Sequence, residues 1–102
     1  MRIVVVCGAG ASSTFAALRI RRAAEARGID VDVRPAGEQT LAAELADADA
    51  LLVGTHLAER LPSLERDAAA ASVPMAVLPD ETRTLDGDAA LDLAIALIGG
   101  RA

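Results

Sequence analysis

The sequence is poor in the residues that carry most protein chemistry. Its 102 residues include one cysteine, one histidine and one aromatic residue. A single cysteine excludes an internal disulfide and agrees with a reducing compartment, so we expect a cytoplasmic protein. The net charge of −5 gives no electrostatic support for nucleic-acid binding. No apolar run approaches the roughly 20 residues that a membrane-spanning helix needs, and Met1-Arg2 leads directly into a predicted strand without a signal peptide.

The composition favours one folded domain over residues 1–102. Hydrophobic residues make up 53% of the chain and charged residues 25%, which is typical of a globular protein and not of a disordered one. A chain of this length is too short for two independent hydrophobic cores.

Strand and helix patterns alternate along the chain, as in an α/β domain with a parallel sheet. The predicted strands are 2–6, 29–34, 49–54 and 73–78. The predicted helices are 13–27, 38–45, 63–71 and a last helix that is capped by Asp86 or Asp88 and ends at Gly99-Gly100. A helical turn at 57–61, broken by Pro62, is predicted before the third helix, whose cap is Ser63.

The spacing of apolar residues predicts which side of each helix is buried. The first helix is expected to bury Phe15, Leu18, Ile20 and Ala23–Ala24, and to leave its arginines largely in solvent. The last helix is expected to bury a stripe of Leu91, Ile95 and Ile98.

The second predicted strand alternates strictly between apolar and charged residues, so one of its faces is wet and it belongs at an edge of the sheet. Right-handed crossovers then give the strand order 2-1-3-4 in a three-layer α-β-α sandwich. Ligands of such sheets bind beyond the carboxyl ends of the strands, where the winding reverses between strands one and three.

A glycine-rich turn follows the first strand at that point and contains the only cysteine. Cys7 stands directly after the apolar run, and the segment from Gly8 to Thr14 opens the first helix: Gly8, Ala9, Gly10, Ala11, Ser12, Ser13 and Thr14. Unpaired N–H groups at a helix start attract anions and lower the pKa of a nearby thiol. We therefore predict a phosphate-binding loop in which Cys7 is the nucleophile.

Two other functions compete for the same residues. The spacing Gly8-x-Gly10 resembles a dinucleotide-binding fingerprint, but Ser13 replaces its third glycine, so a nucleotide-binding or regulatory module is an alternative. A cysteine-dependent phosphatase or an arsenate-reductase-like enzyme is the other alternative function. Phosphatases with this chemistry need Cys-x5-Arg, and Ser13 stands where the arginine would be. A cysteine with a phosphate cradle but no clamping arginine fits a phosphoryl carrier.

Two further residues are predicted near the loop. His56 follows the third predicted strand, and Arg83 lies in the polar loop after the fourth, so both belong at the same edge of the sheet. Each is a candidate for contact with the phosphate or a partner. No cofactor or metal is expected, because no acidic cluster has ligand spacing.

The Cys7–Thr14 segment resembles the phosphocysteine loop of IIB components of the bacterial phosphoenolpyruvate-dependent sugar phosphotransferase system. The segment 49–62 is similar to the third strand and following turn of the lactose/cellobiose (N,N′-diacetylchitobiose) branch, and Leu85-Asp86-Gly87 is similar to its Val-Asp-Gly. Thr55-His56 departs from the usual Pro-Gln, and the loop before the last helix lacks a Tyr-Gly. Galactitol- and ascorbate-type IIB proteins carry similar loops.

The resemblance implies a function and partners. Cys7 would accept a phosphoryl group from a phosphohistidine of a IIA protein and pass it to a sugar, of the cellobiose, chitobiose or lactose type, bound in the membrane component IIC. The protein would be a monomer on its own and peripheral to the inner face of the membrane through IIC.

Overall fold

Strands and helices alternate along the chain in a computed structural model of the protein. The structure describes residues 1–6, 10–37, 40–54, 60–78 and 86–99. The side chains of the first helix are described from Thr14 onward. The strands are β1 (Arg2–Val6), β2 (Asp32–Ala36), β3 (Ala50–Val53) and β4 (Met75–Val77). The helices are α1 (Gly10–Ala26), α2 (Leu41–Leu45), α3 (Leu61–Ala70) and α4 (Gly87–Gly99).

The four strands form one parallel sheet in the order β2-β1-β3-β4, as predicted. Val6 at the end of β1 lies opposite Ala36 of β2 and Val53 of β3, and Val53 lies opposite Val77 of β4. The four strands therefore end at one level. We call this end of the sheet the carboxyl edge and the opposite end the amino edge.

The second strand lies at an edge of the sheet, as its alternation predicts, but it runs over 32–36 and not over 29–34. Its start is delayed because the Ile29 N–H donates to the Ala24 carbonyl (2.9 Å), so Ile29 belongs to the end of α1. Its end is extended through Pro35, which lies opposite Val5. An edge strand tolerates a proline whose missing N–H would face away from its neighbour.

Helices cover both faces of the sheet, which confirms the three-layer sandwich. The α1/α4 face buries Ile3, Val5 and Leu52 of the sheet against Ile20 and Leu91 of those helices. The other face buries the alternate sheet residues, including Val4, Val6, Leu51 and Val53, against Leu41 and Leu45 of α2 and Leu64 of α3. Because β1 and β3 are covered on both sides, nearly all their side chains are buried.

The buried stripe of α1 differs from the predicted one. Phe15 is 52% exposed and Leu18 38% exposed, so their predicted burial is wrong. The helix packs instead through Ile20 and four alanines, Ala16, Ala17, Ala23 and Ala24. Small side chains let the helix axis approach the sheet and α4 closely, and Phe15 and Leu18 fall outside that contact. In α4, Leu91 is buried as predicted together with Ala90 and Ala94, whereas Ile95 and Ile98 are partly buried.

Helix ends follow local capping chemistry. The predicted stop of α1 is confirmed, since Gly28 has a φ of +68° and its N–H donates to the Glu25 carbonyl (3.1 Å) in a Schellman motif. The cap of α4 is Asp86, whose Oδ1 accepts the N–H of Asp88 (3.0 Å).

The predicted Ser63 cap of α3 is wrong, because the helix begins at Leu61 with Pro62 in its first turn. A proline is tolerated there since that N–H has no intrahelical acceptor. The predicted turn at 57–61 lies largely outside the described residues.

Candidate functional site

The candidate site lies at the carboxyl edge, where β1 ends and α1 begins. The Gly54 N–H donates to the Val6 carbonyl (2.8 Å), and the Leu78 N–H donates to the Val53 carbonyl (2.7 Å). These bonds continue the strand pairing past the last residues of β3 and β4. The ends of β1, β3 and β4 are therefore joined by backbone hydrogen bonds, and we call this hydrogen-bonded backbone at Val6, Val53, Gly54 and Leu78 the platform.

The chain winds in opposite directions on the two sides of this platform. From β1 it passes through α1 to β2 at one side, and from β3 it passes through α3 to β4 at the other. The reversal falls between β1 and β3, as the predicted strand order requires. In parallel sheets such a reversal leaves a crevice above the strand ends, which is where ligands bind.

The first helix begins closer to β1 than its sequence predicts. We expected a start near Ser13, but α1 begins at Gly10, leaving three residues between Val6 and the helix. The predicted start is therefore wrong, and Ser12, Ser13 and Thr14 all lie within α1. The first turn of a helix carries N–H groups without intrahelical acceptors and the positive end of the helix dipole. This donor-rich end now begins three residues after Cys7 in the chain.

The predicted site residues divide into two groups. Five lie outside the described residues: Cys7, Gly8, Ala9, His56 and Arg83. The other five are in α1, where the backbone of Gly10, Ala11, Ser12 and Ser13 is helical and Thr14 is exposed. The structure thus gives the flanking elements of the loop, and the contacts of Cys7, His56 and Arg83 stay predictions.

Charged side chains of the amino edge have defined partners. Arg2 donates through Nε to Asp32 (3.1 Å), and Asp49 Oδ2 accepts the backbone N–H of Arg2 (2.7 Å). Hydrogen bonding from Arg34, with a smaller contribution from Arg2, lowers the pKa of Asp32. Near the C-terminal end of α1, hydrogen bonding from Arg27 likewise lowers the pKa of Asp92. Such pairs hold elements together at a distance from the loop.

Metal binding and membrane insertion find no support in the part of the chain that the structure describes. Among its residues, no group of histidine, cysteine, aspartate and glutamate side chains is arranged to hold a metal ion. None of its helices is long and apolar enough to cross a membrane.

One surface feature near the start of α1 was not predicted from the sequence. Phe15, Leu18, Arg19 and Arg22 follow one another along α1 and line a groove of about 440 Å³ that extends to Gly87 at the start of α4. We call these four side chains the Phe15 surface. The i, i+1, i+4 spacing of Ala16, Ala17 and Ile20 could have identified the buried stripe, and with it the exposure of Phe15.

The fold is similar to those of solved IIB proteins. The lactose-specific IIB component domain from Streptococcus pneumoniae matches with a TM-score of 0.81 at 14% identity, covering 95% of this chain and 96% of that one. The cellobiose-specific IIB component from Borrelia burgdorferi matches with a TM-score of 0.82 at 24% identity, covering 100% of this chain and 94% of that one. At these identities the likeness shows a shared fold.

A phosphatase shares the fold at lower similarity. A YwlE mutant from Bacillus subtilis matches with a TM-score of 0.57 at 17% identity, covering 99% of this chain and 93% of that one. The YwlE arginine phosphatase, in a mutant with a phosphorylated active-site serine, matches with a TM-score of 0.61 at 16% identity and covers 99% of this chain and 91% of that one.

The family assignment comes from the sequence. No curated protein matches this chain. The sequence model described as "PTS system, Lactose/Cellobiose specific IIB subunit" matches residues 2–92, which include both predicted loop and sheet. This confirms the resemblance carried by the Cys7–Thr14 segment. The chain therefore belongs to the lactose/cellobiose-specific IIB family of the phosphotransferase system, and it is a phosphotransferase that serves as a phosphoryl carrier in sugar transport.

Proposed function

We propose that Cys7 is the residue that carries the phosphoryl group. The observation that supports this most directly is the position of the chain around it: β1 ends at the buried Val6 on the platform of the carboxyl edge, and α1 begins at Gly10 after only three intervening residues. Consecutive Cα atoms are about 3.8 Å apart, so the positions of Val6 and Gly10 limit how far the chain between them can reach from that edge. In this proposal residues 1–102 form one IIB domain.

The transfer takes place in two displacements at phosphorus. In the first, the Cys7 thiolate attacks the phosphoryl group of a IIA phosphohistidine, the P–N bond breaks, and its electron pair stays on the imidazole nitrogen, which takes up a proton. In the second, a sugar hydroxyl held by IIC attacks, the P–S bond breaks, and the thiolate is regenerated while the hydroxyl proton passes to solvent or a base. Both steps spread negative charge over three equatorial oxygens.

Backbone N–H groups stabilise that charge without a metal. Hydrogen-bond donors that are already in place need not reorganise when negative charge develops in the transition state. The start of a helix supplies several such N–H donors at once. We assign this role to the segment from Gly8 to Thr14, with the first turn of α1 as its fixed part. His56 and Arg83, which follow the third and fourth strands in sequence, are proposed as supporting contacts at the same edge.

A phosphatase is the second candidate, because the YwlE arginine phosphatase shares the fold. The sequence argues against it. Ser13 stands six residues after Cys7, where a Cys-x5-Arg phosphatase requires the arginine that binds the phosphate oxygens. Without that arginine the phosphocysteine is formed but hydrolysed slowly, which is what a carrier requires.

The partners and the substrate follow from the family. A IIA protein donates the group, and a IIC component accepts it on a bound sugar, which we propose to be a disaccharide of the lactose or cellobiose type. The chain would then be a cytoplasmic monomer that associates with the inner face of the membrane through IIC.

The test is intact-mass spectrometry of the wild type and of Cys7→Ser, each incubated with phosphoenolpyruvate and the general phosphotransferase proteins, with and without a IIA protein. We expect one added phosphoryl group on the wild type, only when IIA is present, and none on Cys7→Ser. Circular dichroism controls for folding. Phosphorylation of folded Cys7→Ser to the same extent would contradict the assignment.

A further inference from the structure

The Leu85-Asp86-Gly87 segment, one of the motifs that carry the family resemblance, is not explained by the phosphoryl chemistry alone. Its last two residues start α4, with Asp86 as the cap and Gly87 as the first helical residue. Asp86 Oδ1 accepts the N–H of Asp88 (3.0 Å), which fixes the first turn of the helix. Gly87 lies at the end of the groove that the Phe15 surface lines. The segment therefore brings the start of α4 to the side of α1.

Gly87 lies so close to the backbone of α1 that it leaves no room for a side chain. A Cβ atom at this position would stand 2.4 Å from the carbonyl oxygen of Arg19 and 2.9 Å from its carbonyl carbon. Ordinary contact begins at 3.4 Å, so any residue with a Cβ would require the two helices to separate here by about 1 Å. The obstacle is backbone, which cannot rotate away as a side chain can. A Cβ at Gly28, Gly37 or Gly99 meets nothing within 4 Å.

The C-terminal half of α1 is bonded to its neighbours on both sides. Arg21 donates to the Val33 carbonyl of β2. Arg27 donates to Asp88 (3.0 Å) and Asp92 (2.6 Å) of α4. Because these bonds hold that half of the helix, a separation forced nearer the start of α1 is expected to turn the helix about its C-terminal end.

Such a turn moves the start of α1 further than the point where the helices are pushed apart. At a rise of 1.5 Å per residue, Arg19 is about 12 Å and Gly10 about 25 Å from Arg27 along the helix axis. A separation of about 1 Å at Arg19 therefore becomes a displacement of about 2 Å at Gly10. A misplacement of about 1 Å caused by a distant mutation can lower a rate on the order of 100-fold.

We propose that Gly87 is a positioning residue for phosphoryl transfer, an inference that rests on the function of Cys7 proposed above. Gly87 lets α4 pack against the Arg19 carbonyl, and this contact holds the first turn of α1, with its N–H donors, in place for the phosphoryl group. Asp86 supports the contact by capping the turn that contains Gly87. The contact itself is about 13 Å from Gly10 along the axis of α1, so Gly87 acts through that helix.

The test is single-turnover phosphoryl transfer from a phosphorylated IIA protein to the wild type and to Gly87→Ala, over a range of IIA concentrations. The concentration dependence separates the maximal rate, which depends on the chemistry at Cys7, from the half-saturating concentration, which depends on docking. We expect the maximal rate of Gly87→Ala to fall about tenfold or more. The half-saturating concentration should stay within about threefold of the wild type. The ³¹P resonance of the phosphocysteine responds to the same N–H donors and should shift.

Two other glycine variants separate positioning from stability. Gly99→Ala makes the same change at the far end of α4, where the Cβ meets nothing within 4 Å, and should transfer at the wild-type rate. Gly28→Ala strains the end of α1, because φ there is +68°, but its Cβ also meets no neighbour. Folded Gly28→Ala should keep the maximal rate and the ³¹P resonance of the wild type, although it is less stable.

A second pair of variants tests the same contact if Gly87→Ala does not fold. Asp86→Ala removes the cap of α4, whereas Asp86→Asn makes the same change of charge and keeps an oxygen acceptor. We expect Asp86→Ala to lower the maximal rate about threefold, because its first turn loosens, and Asp86→Asn to restore the wild-type rate.

Three results would overturn the inference while leaving the function of Cys7 standing. In the first, folded Gly87→Ala has the maximal rate and the ³¹P resonance of the wild type, or changes only in its half-saturating concentration. In the second, folded Gly28→Ala loses as much rate as Gly87→Ala, which would make the effect one of stability. In the third, Gly87→Ala does not fold and the two Asp86 variants transfer equally fast. By contrast, a wild type that accepts no phosphoryl group from IIA would contradict the proposed function itself.

Discussion

The two ends of the sheet are built differently. At the amino edge, Arg2 and Asp49 exchange hydrogen bonds, since Asp49 Oδ2 accepts the Arg2 N–H (2.7 Å) and the Asp49 N–H donates to the Arg2 carbonyl (2.8 Å). Helices α1 and α3 also end at this edge, in turns where Gly28 and Ser72 have φ values of +68° and +59°. At the carboxyl edge, the strands end in a backbone platform and helices begin, with their N–H donors facing outward from the helix.

This difference indicates that residues at the amino edge contribute mainly to stability and residues at the carboxyl edge mainly to function. The amino edge pairs its charges and its helix ends within the fold, so changes there are expected to alter the free energy of unfolding. At the carboxyl edge the first turn of α1, where backbone N–H groups lack intrahelical acceptors, follows the proposed phosphoryl site in the chain, so changes there are expected to alter phosphoryl chemistry. A variant at either edge should therefore affect one property and leave the other nearly unchanged.

The largest effect is expected from Ser13→Arg, which restores the Cys-x5-Arg spacing at the carboxyl edge. An arginine positioned to bind the phosphate oxygens should accelerate hydrolysis of the phosphocysteine on the order of 100-fold, the size of effect that one transition-state donor produces. Intact-mass spectrometry of the isolated phosphoprotein over time gives the rate. Ser12→Arg, one residue out of register, is the control, and equal half-lives for the two variants would contradict the role of the spacing.

A smaller effect is expected at the amino edge from Asp49→Ala, which removes the acceptor of the partly buried Arg2 N–H. A hydrogen bond to a charged group is worth about 1.5 kcal/mol, and urea unfolding should show a loss of that order. Asp47→Ala is the matched control, because Asp47 is 76% exposed and its ion pair with Arg2 contributes within about 0.5 kcal/mol. Phosphoryl acceptance by both variants should equal that of the wild type, and a loss of acceptance in folded Asp49→Ala would break the separation.

The smallest effect is expected at the end of α3, where Ser72 occupies the left-handed conformation that Gly28 occupies at the end of α1. Glycine adopts this conformation without the steric penalty of a Cβ atom, so Ser72→Gly should stabilise the protein by about 0.5 kcal/mol. Thermal unfolding by circular dichroism measures the change. Gly28→Ala is the complementary variant and should destabilise the protein by about 1 kcal/mol. A Ser72→Gly variant that is less stable than the wild type, or a Gly28→Ala variant that is more stable, would refute this explanation of the helix ends.

Sequence patterns predicted the sheet well because its signals are local. The apolar run of β1, the alternation in β2 and the glycine at the end of α1 each follow from short-range chemistry, and the order 2-1-3-4 follows from the handedness of crossovers. Two of the predictions that were wrong involved competition between elements. Ile29 bonds to the end of α1 and not to the sheet, and α1 packs through its alanines so that Phe15 is exposed to solvent. Neither result can be predicted from the sequence of one segment alone.

For the candidate site, the sequence predicted the strand and the helix that flank Cys7, and the roles of the site residues themselves stay predictions. The chain order places Cys7 between a buried strand and a helix start, which the structure confirms for the flanking residues Val6 and Gly10. The helix start was predicted three residues too late, at Ser13 and not at Gly10, because the start of a helix depends on tertiary contacts as well as on local sequence. The contacts of His56 and Arg83 depend on how separate loops fold together, which sequence spacing does not specify.

The most direct test of the proposed separation is a comparison of amide ¹H–¹⁵N spectra before and after phosphorylation by IIA, with Cys7→Ser as the control. We predict that the amides from Gly8 to Thr14 shift in the wild type, that those of Arg2 and Asp49 at the amino edge do not, and that Cys7→Ser shows neither change. Shifts centred on the amino edge, or a first turn of α1 whose amides do not respond, would contradict the carboxyl edge as the phosphoryl site.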